Sequence, residues 1–391
     1  MDRRRVMARL LAAATATATG CLGPVSDGGE DNAEGNSGFA VETVAEGLTQ
    51  PWGVEFLDST RALVTEVSGK LRLVYEDGDV ETVGGTPEVD DAGQGGLLDV
   101  TLHPDYPDDE HVYLTYSAGN GGSATATHVG RGRLDEDAPR LRDFDVIEVA
   151  EPFVDSSNHY GSRAVFGDDG ALYVTSGDRQ FKNFGPGHVA QDVTNELGCI
   201  LRLESDGSVP DDNPFVNDPV ASDTVYSYGH RNPQGLAVHP ETDELWESEH
   251  GERDGDEINV IEAGGNYGWP VASEACEYGT DTQVGVSHDE RDDVTAPVYV
   301  WDCGTGGFPP SGMTFYTGDA FPDWRGDLFM GNLAGRYLGR FGVDGEEVRE
   351  KEPLLDGRGW RVREVAEGPD GYLYVLVDGD DAPLVRLVPD G

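Results

Sequence analysis

Residues 162–178 read SRAVFGDDGALYVTSGD: a short apolar run, a turn of Gly and Asp, then a second apolar run. Both runs suit pleated strands, because β-branched and aromatic residues recur without a 3.6-residue period and the Gly-Asp-Asp-Gly stretch supplies the reversal. The phrase returns at 52–66 (WGVEFLDSTRALVTE), 97–116 (LLDVTLHPDYPDDEHVYLTY), 234–251 (QGLAVHPETDELWESEHG), 311–332 (SGMTFYTGDAFPDWRGDLFMGN) and 362–378 (VREVAEGPDGYLYVLVD). Most copies lead into a further strand, as in KLRLVYE (70–76), CILRLES (199–205) and YLGRFGV (337–343). Divergent units of roughly 45 to 75 residues, each too small to bury its own faces, must stack on one another. The pattern predicts an all-β fold, a six-bladed β-propeller with four-stranded antiparallel blades. A seven-bladed ring, with its extra unit inside 265–310, is the competing architecture. FAVETVAE (39–46) has no partner in its own repeat and is expected to close the ring by joining the last blade.

The residues before this array read differently. Met1 to Cys21 (MDRRRVMARLLAAATATATGC) has three arginines ahead of a weakly apolar run, too short and too rich in Ala and Thr to span a membrane. It resembles a twin-arginine export signal, and Thr19-Gly20-Cys21 resembles a lipobox that would place a lipid on Cys21. Residues 22–38 are a Gly, Asp, Glu, Asn and Ser tether that cannot bury a core. The expected organisation is an export signal at 1–21, a flexible acidic linker at 22–38 and a propeller at 39–391. The expected location is the extracellular face of the cell membrane. Cys276 and Cys303 are a candidate disulfide there, and Cys199 a buried thiol.

With 27 basic against 75 acidic side chains, the formal charge is −48. Such a surface excludes sequence-independent nucleic-acid binding, which needs cations. It also predicts a salt-adapted protein, because at about 1 M salt the Debye length falls to about 3 Å and screens the mutual repulsion of carboxylates.

Loops on one face of a propeller gather around its axis, so the insertions at 179–197, 206–228 and 265–310 are where a site is sought. Gly93-Gln94-Gly95-Gly96 lets backbone approach a ligand and offers an amide. His159, at a blade entrance, has the right chemistry for a base at neutral pH. Tyr228-Gly-His-Arg-Asn-Pro-Gln-Gly235 pairs a planar guanidinium (Arg231) with a carboxamide (Asn232), a cradle for a flat acid with several carbonyls. Glu249-His-Gly-Glu-Arg-Asp-Gly-Asp-Glu257 reads equally as a calcium-type oxygen site or as solvated turns in an acidic chain.

GQGGLL, the blade-entrance histidine, GHRNPQG, DEIN and GGNYGWP occur here in the order found in the soluble aldose sugar dehydrogenases that use pyrroloquinoline quinone (PQQ), relatives of soluble glucose dehydrogenase. The resemblance spans residues 40–390 and implies a six-bladed propeller. By position, His159 resembles the base that takes the proton from the sugar C1 hydroxyl while hydride passes to PQQ. Gln94, Arg231, Asn232, Arg361 and Arg363 resemble the PQQ contacts. The carbonyls of Gly251 and Glu252 match the holders of a Ca2+ that polarises PQQ, and Glu257 with the carbonyl of Tyr267 match a second, structural Ca2+. The implied partners are an aldose sugar and an external electron acceptor. Four departures stand out. Asn332-Leu-Ala-Gly335 replaces a lysine on the fifth blade. Asn158 replaces an aspartate, which predicts an imidazole without a carboxylate to orient it. Glu252 replaces a proline, and residues 301–312 differ from the glucose enzyme's lining. A calcium-dependent propeller lactonase or esterase and a non-catalytic surface carbohydrate-binding propeller are the alternative functions.

Overall fold

The computed structural model describes residues 38–390; the expected export signal at 1–21, with Cys21, and the expected linker up to residue 37 lie outside the described residues. Within them, β1 (Phe39–Leu48) precedes the first blade, which is β2 (Pro51–Asp58), β3 (Arg61–Glu66), β4 (Lys70–Tyr75) and β5 (Val80–Val83). The second blade is β6 (Leu97–Leu102), β7 (His111–Gly119), β8 (Thr125–Asp135) and β9 (Arg140–Val149). The third is β10 (Ala164–Phe166), β11 (Leu172–Ser176), β12 (Cys199–Leu203) and β13 (Val225–Tyr228). The fourth is β14 (Pro233–Val238), β15 (Leu245–Glu249), β16 (Asp256–Ile261) and β17 (Tyr299–Trp301). The fifth is β18 (Pro310–Phe315), β19 (Leu328–Asn332), β20 (Tyr337–Asp344) and β21 (Glu347–Glu350). The sixth combines β22 (Val362–Glu367), β23 (Leu373–Val377) and β24 (Ala382–Pro389) with β1.

Each repeated phrase thus becomes the two inner strands of a four-stranded antiparallel sheet, and six such sheets form the ring. No seventh sheet exists among the described residues. Residues 265–310 form a loop, pinned by a Cys276–Cys303 disulfide, that returns as the outer strand β17. β1 pairs antiparallel with β24, so the first strand of the propeller and the last close the ring as a clasp.

Inner strands such as β11 are buried on both faces, whereas β1, at the edge of its sheet, is exposed at five of its ten positions. Apolar packing is correspondingly split into seams between blades. One seam joins blades 5 and 6 through Tyr316, Trp324, Phe329 and Leu373; another joins blades 3 and 4 through Tyr173, Ile200, Leu245 and Ile261. Near the axis, buried Arg163 bonds Glu364 of β22 and Asp99 of β6 (3.3 Å), donates to the Gln234 carbonyl of β14 (2.7 Å), and lies over Trp52 of β2 (4.0 Å). One guanidinium therefore ties together strands from five blades, counting its own. The Cys199 thiol is buried in blade 3, and burial pushes its pKa up.

Candidate active site

His159 sits in the loop entering blade 3 and has a left-handed backbone (φ 51°), which is unusual for a side chain with a Cβ. Three contacts hold it there. Its N–H donates to Gln94 Oε1 (2.8 Å), while Gln94's own N–H donates to the Ser157 carbonyl (2.8 Å). Gly177 passes so close that a Cβ would stand 2.4 Å from the His159 carbonyl oxygen. Buried Arg179 donates to the Asn158 carbonyl (3.0 Å) and the Thr125 carbonyl (2.7 Å), with its guanidinium 3.9 Å from the Tyr160 ring centre.

The expectation of an imidazole without a carboxylate is overturned. His159 Nδ1 lies 2.6 Å from Asp178 Oδ1, at the C-terminal end of β11. Asp178 is wholly buried and also accepts from Gln180 N–H (2.7 Å) and Trp269 Nε1–H (2.8 Å). His188 Nδ1 accepts from Ala190 N–H (3.2 Å), so its Nε2 carries a proton, 3.6 Å from Asp178 Oδ2. Burial would raise the pKa of Asp178, but the pairing with His159 holds it below the usual carboxylate value. The carboxylate fixes the proton on His159 Nδ1 and leaves Nε2 as the basic nitrogen. Burial first, then the Arg231 charge, keep the imidazole pKa below its ordinary value, with Asp178 opposing. Asn158 instead donates to Gln180 Oε1 (3.0 Å). Asp178 was already in view as the last letter of a repeat phrase, but nothing in a Gly-Asp pair distinguishes a turn from a buried partner.

The guanidinium groups gather beside this base. Arg231 is buried, donates to Glu252 Oε2 (2.7 Å) and the His250 carbonyl (3.2 Å), and lies 5.2 Å from the Trp269 ring centre. Lys182 reaches the same Glu252 carboxylate (2.5 Å). Arg361 and Arg363 both hold Asp378 (2.9 and 3.0 Å), and Arg363 also reaches Gln234 Oε1 (3.3 Å). Backbone bonds tie the Arg231-Asn232 turn to the base: Asp178 N–H donates to the Arg231 carbonyl (2.8 Å) and His250 N–H to the Asn232 carbonyl (3.3 Å). Burial, then the charges of Arg231, His159 and Arg363, push the His250 imidazole down to about 3. Arg231, Lys182, Arg361 and Arg363 thus bring four cations together with the carboxylates of Glu252 and Asp378 in a chain of −48. Asn232 is buried and accepts from Gly161 N–H (3.3 Å), a brace for the His159 loop, while Gln94 stays exposed with its NH2 free of described partners. Lys182, Asp178 and Asp378 were not singled out by sequence reasoning.

Gly251, Glu257 and Tyr267 line one small cavity of about 10 Å3 together with Glu249 and Ser273. That is room for about one water or ion. Burial, then the Glu249 charge, raise the Glu257 carboxyl well above its usual value. Glu252 does not line this cavity; its carboxylate is spent on Arg231 and Lys182. The insertions 179–197 and 265–310 supply Lys182, His188, Tyr267 and Trp269. The 206–228 insertion does not join them: its side chains bond Arg202 and Glu196 at the rim of blade 3.

The family model described as Glucose / Sorbosone dehydrogenase matches residues 48–386. Aldose sugar dehydrogenase YliI of Escherichia coli (strain K12) is 38% identical over 351 residues, covering 89% of this chain and 92% of that protein. The apo-form crystal structure of soluble aldose sugar dehydrogenase from Escherichia coli superposes with a TM-score of 0.83 at 37% identity, over 90% of this chain and 100% of that one. The PQQ-bound form of an aldose sugar dehydrogenase from Streptomyces coelicolor is similar at a TM-score of 0.72 and 30% identity, over 90% and 98% of the two chains. A buried histidine base beside clustered guanidinium groups on a six-bladed ring is thus found in a chain that belongs to the glucose/sorbosone dehydrogenase family.

Proposed function

We propose that this protein is a PQQ- and Ca2+-dependent aldose dehydrogenase that oxidises the C1 hydroxyl of a sugar to a lactone and passes the electrons to an external acceptor. The observation that carries the reading is the buried His159–Asp178 pair (2.6 Å), joined to Arg231 by Asp178 N–H donating to the Arg231 carbonyl (2.8 Å). A neutral imidazole with one nitrogen fixed and the other free is suited to accept a hydroxyl proton, and guanidinium groups suit a planar, multiply anionic quinone.

The residues fit both groups. Arg231, Arg361 and Arg363 would hold the carboxylates of PQQ, with Gln94 and Asn232 at its edge. The carbonyls of Gly251 and Glu252 would hold the Ca2+ that polarises PQQ, and Glu257 with the Tyr267 carbonyl a second, structural Ca2+, a hard cation that takes oxygen ligands. PQQ, when bound, supplies the acceptor for the hydride that leaves C1. His159 Nε2 takes the proton of the C1 hydroxyl. Asp178 keeps the ring in the orientation that exposes Nε2 and stabilises the imidazolium that forms. Burial of the base keeps bulk water from competing for that proton. The twin-arginine signal and lipid on Cys21 would place this activity outside the cell, in a salt-adapted protein.

Reconstitution with PQQ and Ca2+ in molar salt should give sugar-dependent dye reduction. No turnover across a panel of aldoses, with no quinone absorbance kept after desalting, would refute the assignment.

A further inference from the structure

Strand register places Leu245, Glu247 and Glu249 on one face of β15, opposite Ile261, Asn259 and Glu257 of β16. Leu245 and Ile261 belong to the apolar seam between blades 3 and 4, so the polar residues continue that seam toward the site. Glu249 has a partner on each oxygen, accepting from Arg231 N–H and meeting His230 Nδ1 at 3.1 Å, and each oxygen keeps a second lone pair. Glu247 has a partner on one oxygen only. Its Oε2 accepts from Asn259 Nδ2 (3.0 Å), but Glu247 Oε1 and Asn259 Oδ1 have no partner, although both residues are completely buried. A carboxylate removed from water without a cation is among the costliest groups a fold can hold. Ligand atoms of His230, Glu247 and Glu249 all lie within 4.8 Å of one another. A single ion with bonds of about 2.0 to 2.6 Å can bridge that span.

We propose that Glu247, Glu249 and the side-chain oxygen of Asn259 hold a divalent cation in the seam between blades 3 and 4, with His230 beside it. This site is separate from the cavity at Gly251, Glu257 and Tyr267: Glu249 borders both, while Glu247, Asn259 and His230 do not line that cavity. Carboxylate and amide oxygens favour Ca2+ or Mn2+, and the imidazole within reach favours Mn2+ over Ca2+. Because His230 and Arg231 are consecutive and both bond Glu249, the ion fastens the turn that presents Arg231.

The test strips the full chain of metal with a chelator in molar KCl, dialyses it against Ca2+ or Mn2+, and counts bound metal by elemental mass spectrometry. Glu247→Gln, which keeps the shape, and Glu247→Leu, which matches the apolar seam and protects against a folding failure, should each bind one equivalent fewer than the wild type. Added cation should raise the Tm of the wild type more than that of either variant. Glu257→Gln, at the neighbouring cavity, should keep the equivalent that depends on Glu247. Equal metal content in the wild type and both Glu247 variants would overturn the proposal and leave Glu247 as a buried protonated acid.

Discussion

Replacing Asp178 by Asn keeps the size of the side chain and removes its charge. Asp178 accepts from Gln180 N–H and pairs with His159 Nδ1 on one oxygen, and accepts from Trp269 Nε1–H on the other. An amide supplies only one acceptor. With its NH2 toward Trp269, two donors collide, and a buried unmatched donor costs about 1–3 kcal/mol. With its NH2 toward His159, the imidazole escapes the collision by shifting its proton to Nε2, which is the nitrogen proposed to accept from the sugar. The lost charge adds to this. Two unit charges about 4 Å apart interact by about 4 kcal/mol at an effective dielectric of 20, which is close to three pK units of basicity. We therefore expect Asp178→Asn to lower kcat by about 10³-fold, since the wrong tautomer and the weaker base act on the same proton transfer. The assay is dye reduction at saturating aldose with PQQ and Ca2+ in molar KCl, alongside a quinone-binding titration by absorbance. Binding should stay within a few-fold of wild type. A variant that binds quinone normally and keeps kcat within tenfold would refute the pairing as the source of basicity.

Five further outcomes are expected. His159→Ala should abolish turnover while quinone absorbance after desalting stays nearly unchanged, because in the proposed function the imidazole acts on the sugar and the guanidinium groups hold the cofactor. Gly177→Ala forces a Cβ to within 2.4 Å of the His159 carbonyl and 3.1 Å of Asn232 Oδ1. Overpacking of this kind costs about 1–3 kcal/mol, so both Tm and kcat should fall; an unchanged kcat would show that the loop tolerates displacement. Because the His159 pKa is lowered in the fold, the acid limb of kcat/KM should inflect below pH 6.5. The sign for stability follows: below 6.5 the unfolded chain takes up the proton first, so this histidine's contribution is present above 6.5 and lost as pH falls toward the folded value, which Tm against pH in wild type and His159→Gln would resolve. Finally, Tm should rise between dilute buffer and molar KCl as the repulsion within a −48 chain is screened. A flat Tm would remove the salt-adaptation reading.

What the linear chain determined was the architecture. Strand, turn and strand repeated six times cannot bury both faces except by stacking, and β1 clasping β24 follows from a strand left without a partner in its own repeat. His159 and Arg231 were singled out by residue type, an imidazole at a blade entrance and a guanidinium in a glycine-rich turn, whereas Arg361 and Arg363 were reached only through the family resemblance. Tertiary structure decided the partners. Asp178 lies 19 residues from His159 and takes the role that Asn158 left vacant. Asp378 binds two arginines, and Lys182 meets Arg231 through Glu252 across 70 residues. A carboxylate in an acidic chain reads as a solvated turn until its neighbours are known. Whether it is a counter-ion, a positioning group or a metal ligand depends on which seam of the ring closes over it, and burial and pairing are properties of that closure rather than of any local run of residues.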